Sequence, residues 1–287
     1  MTIRAHAKIN LDLRLGKRRP DGFHPIDTFF IRVDVADLLE IRSSPDGKLA
    51  LQVEGDPQLS SHPDNLVLRA ARALQLRASP GSGADILLKK QIPQGAGLGG
   101  GSSDAASALV FLRKLWNVAI KDSELTEIAA ELGSDVPFFL QPYAARGTGR
   151  GEILEPIHLI DLPWAVLIHP GFASPTASAY AAYAKNPIAG TEGPTLSLTM
   201  KDGAQLKILP RNDLENAVES KFLWIESARR WMGTQKNVLA SRMSGSGSTV
   251  FGLFPTQDDA EKTAKDGRGF FGSSAWIHVA RLLGGPE

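Results

Sequence analysis

Pro93-Gln94-Gly95-Ala96-Gly97-Leu98-Gly99-Gly100-Gly101-Ser102-Ser103 places five glycines within residues 95–101 and two serines directly after them. Glycine lets the main chain turn sharply and approach a ligand closely, so that several N–H groups converge on the oxygens of one phosphate. Apolar residues at helical spacing follow (Ala105, Leu109, Leu112, Trp116). A helix beginning there points its positive end at the same place, with Ser102 and Ser103 free to cap it or to help hold a metal. A solvated surface loop gains little from five glycines, each of which is entropically costly to order. Gly95, Gly97 and Gly100 match G-x-G-x-x-G, but a Rossmann site needs a second strand ending in an acidic residue about 20 positions on. Residues 117–132 read as a loop and a helix instead. A Walker A loop nearly fits Gly95–Ser102, except that Gly101 stands where the lysine belongs. The His-Arg-Asp and Asp-Phe-Gly motifs of protein kinases are missing. What remains is a phosphate-binding loop outside both common classes.

Working outward, Asp85–Lys89 reads as a short strand leading into the loop. Asp64-Asn65 precedes a helix over Leu66–Leu76, where Leu66, Ala70, Ala73 and Leu74 share a face. Strands are expected at Ile26–Val35, Asp37–Arg42 and Lys48–Val53. Residues 5–15 alternate strictly, with Ala5, Ala7, Ile9, Leu11, Leu13 and Leu15 apolar. This is a half-buried strand carrying Lys8 and Asn10 on its polar face. A basic loop, Lys17–Gly22, ends in the turn dipeptide Asp21-Gly22. Downstream, residues 123–132 form a helix stopped by Gly133, and Arg146–Glu155 is a hairpin or a domain edge. A strand at Trp164–His169 opens the second half. The Ala-, Ser- and Pro-rich stretch Ala173–Pro194 is a mobile excursion with one short helix. Helices at 211–220 and 222–232, a strand at Thr249–Phe254, a helix at Asp258–Lys265 and a strand at Ala275–Leu282 complete the chain. Strands and helices mix without regular alternation, so the fold class is α+β.

The 287 residues are 43% hydrophobic and 22% charged, enough for two domains of moderate size. Lys and Arg total 32 against 31 Asp and Glu, a net charge of +1. That balance argues against a nucleic-acid or anionic-membrane partner. Cysteine is absent, which excludes disulfides, thiolate catalysis and Cys-ligated zinc and suits a reducing cytosol. The N-terminus lacks the apolar stretch of a signal peptide, and apolar runs such as Trp164–Ile168 are too short to cross a bilayer. A cytoplasmic protein is expected. His6, His62, His158 and His169 show no metal-ligand spacing.

The segment Pro93-x-Gly-Ala-Gly-Leu-Gly-Gly-Gly-Ser-Ser-Asp-Ala-Ala106 closely resembles the phosphate-binding motif of the GHMP kinases, which include galactokinase and homoserine and mevalonate kinases. Further motifs resemble one branch of that family: Ala7-Lys8-Ile9-Asn10-Leu11, Arg19-Pro-Asp-Gly-Phe-His24, Asp64-Asn-Leu66, Leu132-Gly-Ser-Asp-Val-Pro137, His169-Pro-Gly171 with Pro175-Thr176, and Ser244-Gly-Ser-Gly-Ser248. They run in order from residue 5 to about residue 254. The resemblance implies an ATP-binding N-terminal domain over 1–155, a smaller substrate domain over 156–287, and an active site in the cleft between them. It implies ATP as phosphoryl donor, with Mg²⁺. The implied acceptor is the 2-hydroxyl of a methylerythritol carried on cytidine diphosphate, an intermediate of non-mevalonate isoprenoid precursor synthesis.

Residue roles follow from the resemblance and are weighed against plainer ones. Asp135 is the expected general base. On the residues alone it is a turn-forming Asp between Gly133 and Pro137. Lys8 is expected to place a fixed cation near the developing charge, with Asn10 beside it on the same strand, although most lysines on a polar face are merely solvated. Phe23 and His24 are expected to recognise cytosine by stacking and by hydrogen bonding. Phe23 stands where the family carries Tyr, so stacking remains without the hydroxyl. Tyr180 is a second aromatic wall, and Thr176 a contact to a substrate phosphate. Asn65, Leu66 and Lys90 are expected to line the adenine pocket, with capping as the plainer role of Asn65. Metal ligands are not evident beyond Ser102 or Ser103 acting with the ATP phosphates, since Mg²⁺ commonly binds through substrate phosphates and water. Three rivals remain open. A mevalonate or homoserine kinase of the same family is nearest, then a non-catalytic nucleotide-binding regulator, then a dinucleotide-dependent oxidoreductase.

Overall fold

A computed structural model describes residues 2–54, 59–60, 62 and 64–285. The elements are β1 (Thr2–Leu15), β2 (Ile26–Ser44), β3 (Leu49–Glu54), α1 (Leu66–Gln75), β4 (Gly83–Lys89), α2 (Gly100–Leu115) and α3 (Asp122–Leu132). A short 3-10 helix (Pro137–Leu140) precedes β5 (Ala144–Thr148), β6 (Ile153–Ile157), β7 (Leu159–Ile160), β8 (Trp164–His169), α4 (Thr176–Lys185), β9 (Leu196–Met200) and β10 (Gln205–Ile208). Then come α5 (Glu215–Glu219), α6 (Leu223–Gly233), β11 (Ala240–Met243), β12 (Val250–Phe254), α7 (Gln257–Phe271) and β13 (Trp276–Leu283). The α+β class is confirmed.

The chain divides into two compact units. The first comprises Met1–Ala7, Val35–Ile92 and Gly99–Gln141; the second comprises Lys8–Asp34, Pro93–Leu98 and Pro142–Glu287. The division is interleaved, so a single boundary after residue 155 does not describe it. The physical reason is that β1 and β2 are long strands with residues in both units.

In the first unit the C-terminal half of β2 pairs antiparallel with β4, from Leu38 opposite Lys89 to Ser44 opposite Gly83. β3 pairs with β4 in parallel, from Leu49 opposite Ala84 to Glu54 opposite Lys89. Parallel neighbours need a crossover, and α1 lies in it. α1 buries Val67, Leu68, Ala70, Ala71 and Leu74. α2 packs against it. The buried positions of α2 include Ala105, Ala106, Ala108, Leu109 and Leu112, whose small residues permit close approach of the helices.

The second unit holds β11, β12, β8 and β13 as antiparallel neighbours in that order. β13 continues to β2 at Leu282 opposite Val33. β2 in turn pairs with β5, which forms the expected hairpin with β6. β8 is buried from Ala165 to His169, which explains its unbroken apolar run. β10, β9 and β7 make a separate small sheet.

Four expectations change. Ile26–Val35 and Asp37–Arg42 belong to one 19-residue strand, β2, because no Gly or Pro interrupts residues 34–37. The helix expected over 211–220 shrinks to Glu215–Glu219. Its first residues pair with β1 instead: Leu13 N donates to Arg211 O at 2.7 Å, and Asp213 N donates to Leu13 O at 3.0 Å. The helix expected over 258–265 runs on to Phe271, through Gly267, where a Cβ would sit 3.2 Å from the Trp231 ring. Strands β9 and β10 were not expected, although Leu196, Leu198 and Met200 alternate and Asp202-Gly203 between the strands is a hairpin turn signal that the reading of the sequence passed over.

Candidate active site

The glycine loop is held by its carbonyl groups. Within the second unit Gly95 O accepts from Ser174 N at 3.2 Å, Ala96 O from Thr249 N at 3.1 Å, and Leu98 O from Lys8 N at 2.9 Å. Gly97 O accepts from Ser244 Oγ at 2.9 Å. Four consecutive carbonyls are therefore bound by protein, and among the described residues no hydrogen bond is donated by the N–H groups of residues 95–99. Gly95, Gly97 and Gly99 have φ of 61°, 76° and 68°, a left-handed conformation that side chains resist. Gly97 is also sterically required, since a Cβ there would lie 2.0 Å from Ser244 O. In the first unit Gly99 caps α2 and Gly100, Gly101 and Ser102 form its first turn, whose N–H groups have no partner within the helix. A row of free amide donors in the one unit and a helix N-terminus in the other are each suited to anions.

Lys8 and Asn10 are each only 3% exposed, so the half-buried reading of β1 understates their burial. Lys8 Nζ donates to Asn10 Oδ1 at 2.6 Å, and Asn10 Nδ2 donates to Thr28 Oγ1 at 2.8 Å. Thr28 in turn donates to Asp12 O at 2.6 Å. The chain of bonds fixes the orientation of the amide and delivers the ammonium group to one place. The Ser244–Ser248 turn lies against this pair. A Cβ on Gly245 would sit 3.2 Å from Asn10 Oδ1, 3.4 Å from Gly97 O and 3.5 Å from Lys8 Nζ. Thr176, at the start of α4, joins the same turn through a 2.8 Å hydroxyl contact with Ser246. Thus Lys8, Asn10, Gly95–Leu98 and Thr176 are brought together within one unit.

His24 is buried, with Nδ1 2.9 Å from Gly16 O and Nε2 without a hydrogen-bond partner. Its ring stands 6.3 Å from Tyr180 and 5.4 Å from Tyr183. His24 and Tyr180 are thus neighbours within the second unit, and Tyr183, which was not singled out, lies beside them. Phe23 is half-exposed, and the Arg150 guanidinium lies 5.1 Å from its ring centroid.

In the first unit Asn65 caps α1: Oδ1 accepts from Val67 N at 2.9 Å and Nδ2 donates to Leu59 O at 3.1 Å. Leu66 follows it and approaches the glycine run, its Cδ1 3.7 Å from where a Gly101 Cβ would be. Lys90 is engaged by two buried carboxylates, those of Asp37 and, at 2.9 Å, Asp104. Burial works against its charge, but Asp104 and Asp37 outweigh that and hold its pKa above the ordinary lysine value. Burial likewise pushes Asp104 up to about 7 despite the Lys90 charge. Asp37 Oδ1 also accepts from Gln91 N at 2.6 Å and Ile92 N at 2.9 Å. This triad ties β2, the end of β4 and the start of α2 together. Asp135 is half-buried in the turn between α3 and the 3-10 helix, and Val136 N closes that turn on Gly133 O at 3.1 Å. Asp37, Arg150 and Tyr183 were missed by sequence reasoning; Asp104 lay in the quoted motif without a role. The available signal for Asp37 was a carboxylate next to Leu38 and Leu39 in a run where Asp34 already occupies the polar side. Among the described residues no group of three His, Cys, Asp or Glu could hold a metal.

Amides suited to phosphate are what a phosphoryl-transfer enzyme requires, and the comparisons with known proteins place the chain among the small-molecule kinases of the GHMP class. The model of the GHMP kinases N terminal domain matches residues 65–142, and that of the GHMP kinases C terminal region matches residues 200–271. The chain is 40% identical over 287 residues to the 4-diphosphocytidyl-2-C-methyl-D-erythritol kinase of Cereibacter sphaeroides (strain KD131 / KCTC 12085), covering 98% of each protein. It is 37% identical to the enzyme of the same name from Methylacidiphilum infernorum (isolate V4), covering 97% of this chain and 96% of the relative. A crystal structure of 4-(cytidine 5'-diphospho)-2C-methyl-D-erythritol kinase superposes over all of both chains with a TM-score of 0.79 at 35% identity. The chain belongs to the 4-diphosphocytidyl-2-C-methyl-D-erythritol kinase family.

Proposed function

We propose that the protein transfers the γ-phosphoryl group of ATP to the 2-hydroxyl of 4-diphosphocytidyl-2-C-methyl-D-erythritol, releasing ADP. The observation that carries the reading is the loop over residues 95–98, whose carbonyls are all held by protein while its amides run into the N-terminus of α2. The names of the relatives supply the acceptor.

In this reading the hydroxyl oxygen attacks the γ-phosphorus, the bond from that phosphorus to the β–γ bridging oxygen breaks, and ADP leaves. Asp135 takes the hydroxyl proton. Lys8, held by Asn10, offers fixed positive charge to the oxygens of the transferring group. Phosphoryl transfer asks mainly for positioning and electrostatic stabilisation, which preorganised amides and a buried ammonium provide. His24 and Tyr180, with Phe23 nearby in sequence, receive the cytosine; the unpartnered Nε2 of His24 is the polar atom suited to a base edge. Thr176 contacts a substrate phosphate. Asn65 and Leu66 line the adenine pocket. Lys90 contacts the base there with the third N–H of its ammonium, the other two being held by Asp37 and Asp104.

Mg²⁺ carried on the ATP phosphates fits the donors present. The hydroxyls of Ser102 and Ser103 begin α2, and no carboxylate cage competes for a metal among the described residues. The ion would neutralise phosphate charge. No helix of the described residues is long and apolar enough to cross a membrane. A cytoplasmic address is proposed because ATP, the donor, is a cytosolic metabolite. ³¹P NMR of the product formed from ATP and the cytidyl substrate tests the reaction. A new phosphomonoester on the erythritol, with the diphosphate intact, is expected; ADP release without that signal refutes the assignment.

A further inference from the structure

Asn212 is 1% exposed and uses its whole amide. Nδ2 donates to Met243 O and to Gly245 O, both at 2.8 Å, and Oδ1 accepts from Leu214 N at 2.9 Å. Three residues on, the buried Glu215 accepts from Met243 N at 2.9 Å through Oε1. The two side chains therefore grip Met243 by its N–H and its carbonyl, and Gly245 by its carbonyl. The main chain beside Asn212 is itself pinned to β1 through the paired bonds with Leu13.

What this grip holds is the Ser244–Ser248 turn. Ser244 Oγ donates to Gly97 O at 2.9 Å, which joins a side chain of that turn to the glycine loop. Gly245 lies against Asn10 and Lys8, as the space at its missing Cβ shows. One buried amide is thus linked through a single turn to both the phosphate loop and the catalytic ammonium.

We propose that Asn212 is a positioning residue for phosphoryl transfer, setting the Ser244–Ser248 turn against Gly97 and against the Lys8–Asn10 pair without touching a ligand. The inference rests on the reading of residues 95–103 as the site of the ATP phosphates. The chemistry demands an amide: two carbonyl oxygens face Nδ2, and a carboxylate oxygen in its place would repel both. A hydroxyl on a shorter side chain could satisfy one at most.

The test compares Asn212→Asp, Asn212→Ser, Ser244→Ala and the Asn212→Ser/Ser244→Ala double variant with the unaltered protein. Folded fraction is measured by circular dichroism and activity is expressed per folded molecule. A positional error of about 1 Å at a phosphoryl site costs on the order of 10- to 100-fold in turnover. The expected result is a loss of that size in kcat/KM for ATP in Asn212→Asp and Asn212→Ser, with KM for the cytidyl substrate within about threefold of normal. The two single effects should combine less than multiplicatively in the double variant, because both act through one turn. Should Asn212→Asp not fold, Asn212→Ser carries the same comparison. Normal kcat/KM per folded molecule, or independent multiplication of the Asn212 and Ser244 effects, overturns the inference. Failure of the unaltered protein to phosphorylate the substrate would instead remove the kinase reading beneath it.

Discussion

Replacing Gly97 by alanine is the sharpest steric test of the phosphate loop. The new methyl would stand 2.0 Å from Ser244 O, 3.0 Å from Gly247 O and 3.1 Å from Gly247 N. All three are main-chain atoms, so no flexible side chain can swing aside. Restoring an ordinary contact of roughly 3.5 Å requires about 1.5 Å of movement between the loop and the 244–247 turn. The left-handed φ of 76° adds a cost of about 1–2 kcal/mol for any residue with a Cβ. With overpacking of about 1–3 kcal/mol, the total loss of stability is about 2–5 kcal/mol. The displacement also moves the amides proposed to meet phosphate oxygens, and an error near 1 Å costs roughly 100-fold in rate. Gly101→Ala is the informative partner. Its methyl meets only Leu66 Cδ1, at 3.7 Å, and Gly101 has helical backbone in α2. Removing a helical glycine should raise stability by up to about 1 kcal/mol, a gain of about 2–4 °C in Tm for a chain of this size. If phosphates lie along the loop, the same methyl projects toward them and weakens ATP binding. Thermal melts read the first quantity, and ADP release under varied ATP reads the second. Gly97→Ala with kcat/KM within threefold of normal would refute the loop assignment.

Asp135→Asn should fold and bind ATP by calorimetry while losing at least about 100-fold in kcat, the lower end of the range for removing a general base; near-normal turnover sinks the base role. Asn65→Ala removes the bond to Val67 N and should cost about 1 kcal/mol of stability. A rise in KM for ATP beyond that loss marks the adenine pocket, whereas an unchanged KM leaves Asn65 a cap alone. Burial pushes the Glu215 carboxyl up to about 7 from its ordinary 4.5, so the folded protein keeps a proton that the unfolded chain releases between those values. Stability is therefore greatest on this account below pH 4.5 and is lost as pH rises toward 7, by about 3 kcal/mol in all. Glu215→Gln should flatten the dependence of unfolding free energy on pH between 5 and 8, and parallel curves for both proteins would count against the burial argument.

The glycine loop was legible because glycine is the residue whose local conformational freedom and lack of bulk are both needed there. Left-handed φ at Gly95, Gly97 and Gly99 is a property of single residues, and single residues are what a sequence displays. The period of two in β1 was equally local, and it placed Lys8 and Asn10 on one face correctly. It could not say that this face is buried, because burial depends on the Ser244–Ser248 turn lying over 230 positions away. The same limit hid the partners of Lys90: Asp37 is 53 residues distant and Asp104 is 14.

Asn212 shows why distance in sequence is the deciding variable. Residues 211–215 read locally as the start of a helix, and the last of them does begin one. Arg211–Asp213 are diverted by a strand edge almost 200 residues earlier, and the Asn212 amide is spent on carbonyls about 30 residues later. A buried polar side chain of this kind satisfies main-chain groups that regular structure has left unpaired. It cannot be recognised until those groups are known, yet a single atom added at Gly245 would reach the same Lys8 that the motif had already singled out. The motifs therefore name the groups proposed to meet the ligand, and the residues that hold those groups in register emerge only from the long-range hydrogen bonds.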